Sequence, residues 1–191
     1  MTTHSIEHNA TGIPTGKLAM WLFLASEVMF FAGLLGAYIV LRAGVSWPNP
    51  SEELNVAAAA INTFILLSSS MTMALGVAAV HKKDLSQLRL FLLATIILGT
   101  AFLCVKGYEY HLKFEHGHLP GTGLFWDCYF TLTGVHGLHV IIGILTNVWV
   151  LWLTFRDGFW ARKSHLVEIS GLYWHFVDLV WIFLFPLVYL I

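Results

Sequence analysis

This sequence has little charge. Only 11% of its 191 residues are Asp, Glu, Lys or Arg, against about 25% in soluble globular domains. A soluble domain is excluded on that ground. The net charge of −1 supplies no basic face, so a nucleic-acid partner is not expected. Cysteine is nearly absent: Cys104 and Cys128 lie far apart in apolar stretches and form no CxxC pair. They exclude a disulfide framework and a thiolate metal site, and read as two small buried hydrophobes. A cleavable signal peptide is not expected either, because Lys17 abuts a first apolar run too long for a signal h-region.

What is present is apolar, 58% of the chain, and it comes in blocks. Five runs meet the requirement of about 20 residues for a bilayer crossing: roughly Lys17–Leu41, Leu54–Val80, Leu88–Leu112, Gly123–Phe155 and His165–Ile191. The fourth is over-long and should tilt or project from the membrane. The connections are too short to hold an extramembrane domain. The expected fold is therefore an all-α integral membrane bundle of five transmembrane helices. Residues 1–16 form a polar cytoplasmic tail carrying His4 and His8, and residues 17–191 form one domain.

Lys17, Lys82, Lys83, Arg89, Arg156, Arg162 and Lys163 fall on one side, with Arg42, Lys106 and Lys113 on the other. The positive-inside rule then predicts the N-terminus inside and the C-terminus outside. Gly33, Gly36, Gly134, Gly137 and the run Ala57–Ala60 offer small faces for close helix packing.

Ionisable groups at membrane depth are the candidates for function, since a charge at the bilayer centre costs at least about 2.5–3.5 kcal/mol. On the last span Glu168, Gly171, His175 and Asp178 recur at helical offsets and make one stripe. Ten residues beyond Lys17, at 1.5 Å each, put Glu27 roughly 15 Å deep. Asn62, His136 and His139 fall at comparable depth. The expectation is a common layer in which Glu27, Asn62, His136, His139, Glu168, His175 and Asp178 hydrogen-bond one another and stay paired or neutral. Three readings remain open from the residues alone: a structural network that sets helix register, a proton route, or a haem or metal site using His136, His139 and His175. Arg42 and the pair Lys82/Lys83 are candidate holders of lipid phosphates.

Four segments carry a family resemblance. They are Ser26-Glu27-Val28-Met29-Phe30-Phe31-Ala32-Gly33, Asn62-Thr63 with the leucines and serines that follow, Thr133-Gly134-Val135-His136-Gly137-Leu138-His139-Val140-Ile141-Ile142-Gly143, and Tyr173-Trp174-His175-Phe176-Val177-Asp178-Leu179-Val180-Trp181. In order and spacing they closely resemble subunit III of haem–copper terminal oxidases, from about Gly16 to the C-terminus.

The resemblance implies an accessory subunit in a bacterial inner membrane, with no cofactor or catalytic residue of its own. The haems and copper lie on partner subunits of a complex that reduces dioxygen to water and pumps protons. Implied partners are oxidase subunits I and II, a small subunit IV, phospholipids and a respiratory supercomplex. The implied roles are stabilising subunit I, keeping proton uptake rapid, holding lipid and bordering an oxygen route. Mitochondrial-type members carry two further N-terminal helices, and this chain aligns from their third onward. The Ser26-Glu27-Val28 motif points to cytochrome c as electron donor, with a quinol oxidase as the alternative. A free-standing transporter and a dihaem membrane cytochrome are the competing classes.

Overall fold

The computed structural model describes residues 15–45, 47–156 and 158–191. The tail expected over residues 1–16, with His4 and His8, lies outside them except for its last two residues. The elements are α1 (Thr15–Gly44), a short α2 (Pro50–Glu53), α3 (Val56–His81), α4 (Leu85–Glu115), α5 (Leu124–Leu153), a short α6 (Phe159–Arg162) and α7 (His165–Phe185), closed by a π-helical turn over Pro186–Leu190. The described residues contain no strand. Five of these helices are long and apolar enough to cross a membrane, the last counted through Leu190. The fourth span is not singular in length: α5 has 30 residues, but α1 has 30 and α4 has 31.

Local chemistry sets the ends. Asn55 caps α3 by accepting from the Ala58 amide at 3.0 Å, and Asp84 caps α4 by accepting from the Gln87 amide at 3.0 Å. Each satisfies one of the amides left without an intrahelical acceptor. Between α3 and α4 the chain reverses through Lys83, a non-glycine at φ +56°. That left-handed step lets the Asp84 amide reach back to the Ala79 carbonyl. At the other end of the fold Pro186 brings no amide donor, and the helix beyond it winds wider.

α7 sits at the centre, packed on α3, α5 and α1, while α3 and α4 form an intimate antiparallel pair. Its two tryptophans, seven residues apart, explain how it is held. Trp174 is fully buried and its ring enters between α4 and α5, where the Cα atoms belong to Gly99 and Gly143. A Cβ at Gly99 would stand 2.7 Å from Trp174 Cη2, and one at Gly143 2.7 Å from Cε3. Its indole Nε1 donates to Ser69 Oγ on α3 at 3.1 Å. One side chain thus binds three helices. Trp181 donates to Thr63 Oγ1 at 2.9 Å and meets the Phe102 ring edge-on at 5.0 Å.

The glycines that permit close approach are therefore Gly99 and Gly143, with Gly171 against Val77 and Met73. Gly33, Gly36 and Gly137 face open space, and at Gly134 a Cβ would meet only the Tyr110 hydroxyl at 3.8 Å. No helix of this chain packs closely at those four, because α1 lies at the periphery, largely exposed along Trp21, Leu22, Met29 and Val40, and because α5 turns other residues toward its neighbours. Gly143→Ala should cost about 1–3 kcal/mol by overpacking against Trp174. Gly137→Ala should stay within about 0.5 kcal/mol. Thermal unfolding of the two purified variants in the same detergent checks the contrast.

Candidate functional site

The densest polar cluster inside the bundle is one that the sequence reading did not assemble. Lys106 and Glu109, three residues apart on α4, share a face and lie within hydrogen-bonding reach: Nζ donates to Glu109 Oε2 at 3.0 Å. α5 brings Tyr129, whose hydroxyl donates to Glu109 Oε1 at 2.9 Å, and the π turn brings Tyr189, which donates to the same oxygen at 3.0 Å. Lys106 also donates to Tyr189 Oη and stands 5.0 Å from the Trp181 ring centre. All four members are buried. The cation and the carboxylate cancel, and each carboxylate oxygen has a donor, as burial of such a pair requires.

Lys106 had been counted with the charges outside the membrane. It lies instead within α4 among aromatic rings, because its carboxylate partner is one turn away. The legible signal was the Lys-x-x-Glu spacing inside an apolar helix; nothing local pointed to Tyr129 or Tyr189.

Glu27 on α1 and His139 on α5 form a second, separate pair, with Oε2 3.1 Å from Nε2. His139 Nδ1 lies 2.8 Å from the Val135 carbonyl, which can only accept, so Nδ1 carries hydrogen. The pair ties the peripheral helix α1 to the bundle, aided by Phe31 packed edge-on against the His139 ring at 5.1 Å.

The stripe on α7 faces α3 and the start of α1. Glu168 pairs with Lys17, and His81 Nε2 stands 3.9 Å from its other oxygen. His175 Nδ1 and Ser70 Oγ are 2.7 Å apart. Asp178 is 3% exposed, and neither of its carboxyl oxygens makes a hydrogen bond. Along this face runs a groove of about 410 Å³, lined by Lys17, Trp21, Val77, His81, Glu168 and His175 among others.

Asn62 donates to the Phe102 carbonyl at 3.3 Å but leaves its own oxygen unpartnered. His136 stacks on Trp181 at 5.1 Å, and neither ring nitrogen has a partner. The seven residues expected in one layer are thus divided: Glu27 and His139 join α1 to α5, Glu168 joins α7 to α1, His175 joins α7 to α3, Asn62 joins α3 to α4, His136 packs against α4 and α7, and Asp178 has no hydrogen-bond partner. The reason is angular. His136 and His139 are one turn apart, yet α5 passes between α1 on one flank and α4 and α7 on the other, so His136 meets α4 and α7 while His139 meets α1. The three imidazoles of His136, His139 and His175 do not converge, and among the described residues no group of three or more His, Cys, Asp or Glu is placed to hold a metal ion.

Of the candidate lipid contacts, Arg42 donates to the Ile191 carbonyl, whereas Lys82 and Lys83 are exposed in the α3–α4 turn. Arg89 is bound within the chain, donating to the Thr154 hydroxyl at 3.1 Å and carbonyl at 2.6 Å.

Comparison with known proteins follows the same outline. The family model of cytochrome c oxidase subunit III matches residues 2–191. A cytochrome c oxidase subunit 3 from Synechocystis sp. is 44% identical over 174 residues, covering 89% of this chain and 73% of the relative. One from Thermostichus vulcanus is 39% identical over 176 residues, covering 91% and 86%. A probable cytochrome c oxidase subunit 3 from Mycobacterium tuberculosis is 37% identical over 172 residues, covering 89% and 85%.

The four-residue cluster makes a direct prediction. Glu109→Ala leaves the Lys106 cation buried without its counter-charge and should cost about 3–5 kcal/mol. Replacing both, Lys106→Met with Glu109→Leu, should recover most of that loss, and Tyr129→Phe alone should cost about 1.5–3 kcal/mol as a hydrogen bond to a charged group. A double-mutant cycle on chemical unfolding in detergent reads the coupling.

Proposed function

Because the chain belongs to the cytochrome c oxidase subunit III family, we propose that it serves as an accessory, non-redox subunit of a proton-pumping haem–copper oxidase. Dioxygen reduction then runs on a neighbouring subunit I that holds the haems and copper, with subunit II, a small subunit IV and phospholipids completing the assembly. A respiratory supercomplex is the larger setting. The donor is cytochrome c, in keeping with the names of the relatives, and an assay offering reduced cytochrome c beside a quinol decides the point.

The observation that carries this reading is how the interior polar groups are spent. Glu27–His139, Lys17–Glu168 and the Lys106–Glu109 cluster each join two or more helices of this same chain. They set helix register, which is what a scaffold leaning on a redox-active neighbour needs. The exposed apolar rows of α1 suit contact with lipid or with another membrane subunit.

The membrane is the bacterial inner membrane, as for the bacterial relatives, and the N-terminal end of α1 lies in the cytoplasm. Lys17, Lys82, Lys83, Arg89 and Lys163 gather at that end, while Arg42 and Lys113 mark the other. With Lys106 withdrawn into the interior the bias in that direction grows.

Affinity purification of the tagged chain should bring haem-bearing subunits with it, and the chain should be colourless once separated; a haem absorption band on the isolated chain overturns the reading. Glu27→Ala should leave the initial rate of oxygen reduction close to that of the parent. It should also release the chain on detergent washing and shorten the working life of the complex. Immediate total loss of oxygen reduction in an intact complex is the contrary result.

A further inference from the structure

Asp178 is the buried acid that the scaffold does not use. It is 3% exposed, and neither carboxyl oxygen accepts or donates a hydrogen bond. A bare carboxylate is strongly disfavoured in such a place, and a buried acid without a partner is retained as the neutral, protonated form. His175 lies three residues, one turn, before Asp178 on the same face of α7, and its Nδ1 is 2.7 Å from the Ser70 hydroxyl of α3, which brings that hydroxyl to the same stripe. His175 in turn lines the groove of about 410 Å³ between α1, α3 and α7. The groove reaches the end of the bundle where Lys17, His81 and Glu168 are partly exposed to solvent. At 1.5 Å per residue, His175 lies roughly 10 Å and Asp178 roughly 15 Å along the helix from Glu168.

We propose that Asp178 is a proton-binding site reached from one face only, by a route that runs from the groove through His175 and Ser70. The steps balance. A proton from groove water adds to His175 Nε2 as Nδ1 passes its own to Ser70 Oγ, and the Ser70 hydroxyl proton passes to Asp178. The reverse sequence discharges it. Ring flipping or a second water restores the imidazole tautomer. The charged and titratable groups facing the route are Lys17 from α1, His81 from α3, and Glu168 and His175 from α7 itself. Glu27 and His139 belong to the α1–α5 contact and lie off this path. The route ends at Asp178, so it can load and unload a proton without leaking it across the membrane. This property belongs to the chain alone and stands whether or not its partners are those proposed above.

Infrared difference spectroscopy on the intact complex, transferred from H2O into D2O, tests it. The parent should show a protonated-carboxyl band that shifts on deuteration and is missing in Asp178→Asn. In Ser70→Ala and in His175→Gln the band should persist while its exchange slows by about a hundredfold, the order of effect expected for removing a positioned proton carrier. Ser70→Thr, which keeps the hydroxyl, should restore the parental rate. Two results overturn the proposal: identical carboxyl bands in the parent and Asp178→Asn, or parental exchange rates in both Ser70→Ala and His175→Gln. A variant that fails to assemble leaves the decision to the other and to Ser70→Thr.

Discussion

The indole of Trp174, seated where Gly99 and Gly143 have no side chains, is the contact on which the arrangement of helices turns. In a bilayer the tails around a helix are as apolar as leucine, so apolar surface by itself gives two helices little reason to associate. Shape and hydrogen bonding have to do the sorting. Trp174 offers both, since its ring fills a slot that only glycine leaves open and its single N–H has one acceptor, Ser69 Oγ. Slide α7 by one residue and the ring strikes α4 or α5 while the N–H loses its partner. Trp181 repeats the device nearer the other end, through Thr63 and Phe102.

The polar interior follows the same economy. With no water at that depth, each acid and base needs a partner from the chain itself. A partner on another helix also fixes the position of that helix. Lys106 and Glu109 gather Tyr129 and Tyr189, which anchors the C-terminal turn to α4 and α5. Glu27 holds α1, the least buried of the five spans, through His139. These two, with Lys17–Glu168 at the end of the bundle, replace the single continuous layer because each helix turns a given pair of residues toward different neighbours. Asp178 makes no hydrogen bond to any of the three, and that isolation is what sets it aside for another role.

Much of this architecture is legible in the sequence. Class, number of spans and loop positions follow from the long apolar runs, and the candidate residues Glu27, Asn62, His136, His139, Glu168, His175 and Asp178 from the cost of placing polar groups in hydrocarbon, which acts on each residue singly. The glycine reading went astray because a glycine's spacing along its own helix does not say what stands opposite. Gly137 and Gly143 are alike in sequence terms, but only Gly143 has Trp174 across from it. Sorting Lys106 by side with Arg42 and Lys113 fails for a related reason: Glu109, Tyr129 and Tyr189 make an interior position tolerable, and two of those three come from other helices.

The amino-acid order by itself determined that this chain crosses a membrane five times and buries a small set of acids and imidazoles, since hydropathy and the 3.6-residue repeat are properties of one helix at a time. The tertiary structure alone decided which of those groups meet. That choice depends on how each helix is rotated about its axis and at what height it passes its neighbours. Both are set by contacts between residues far apart in the chain, such as Trp174 with Gly99 and Tyr189 with Glu109.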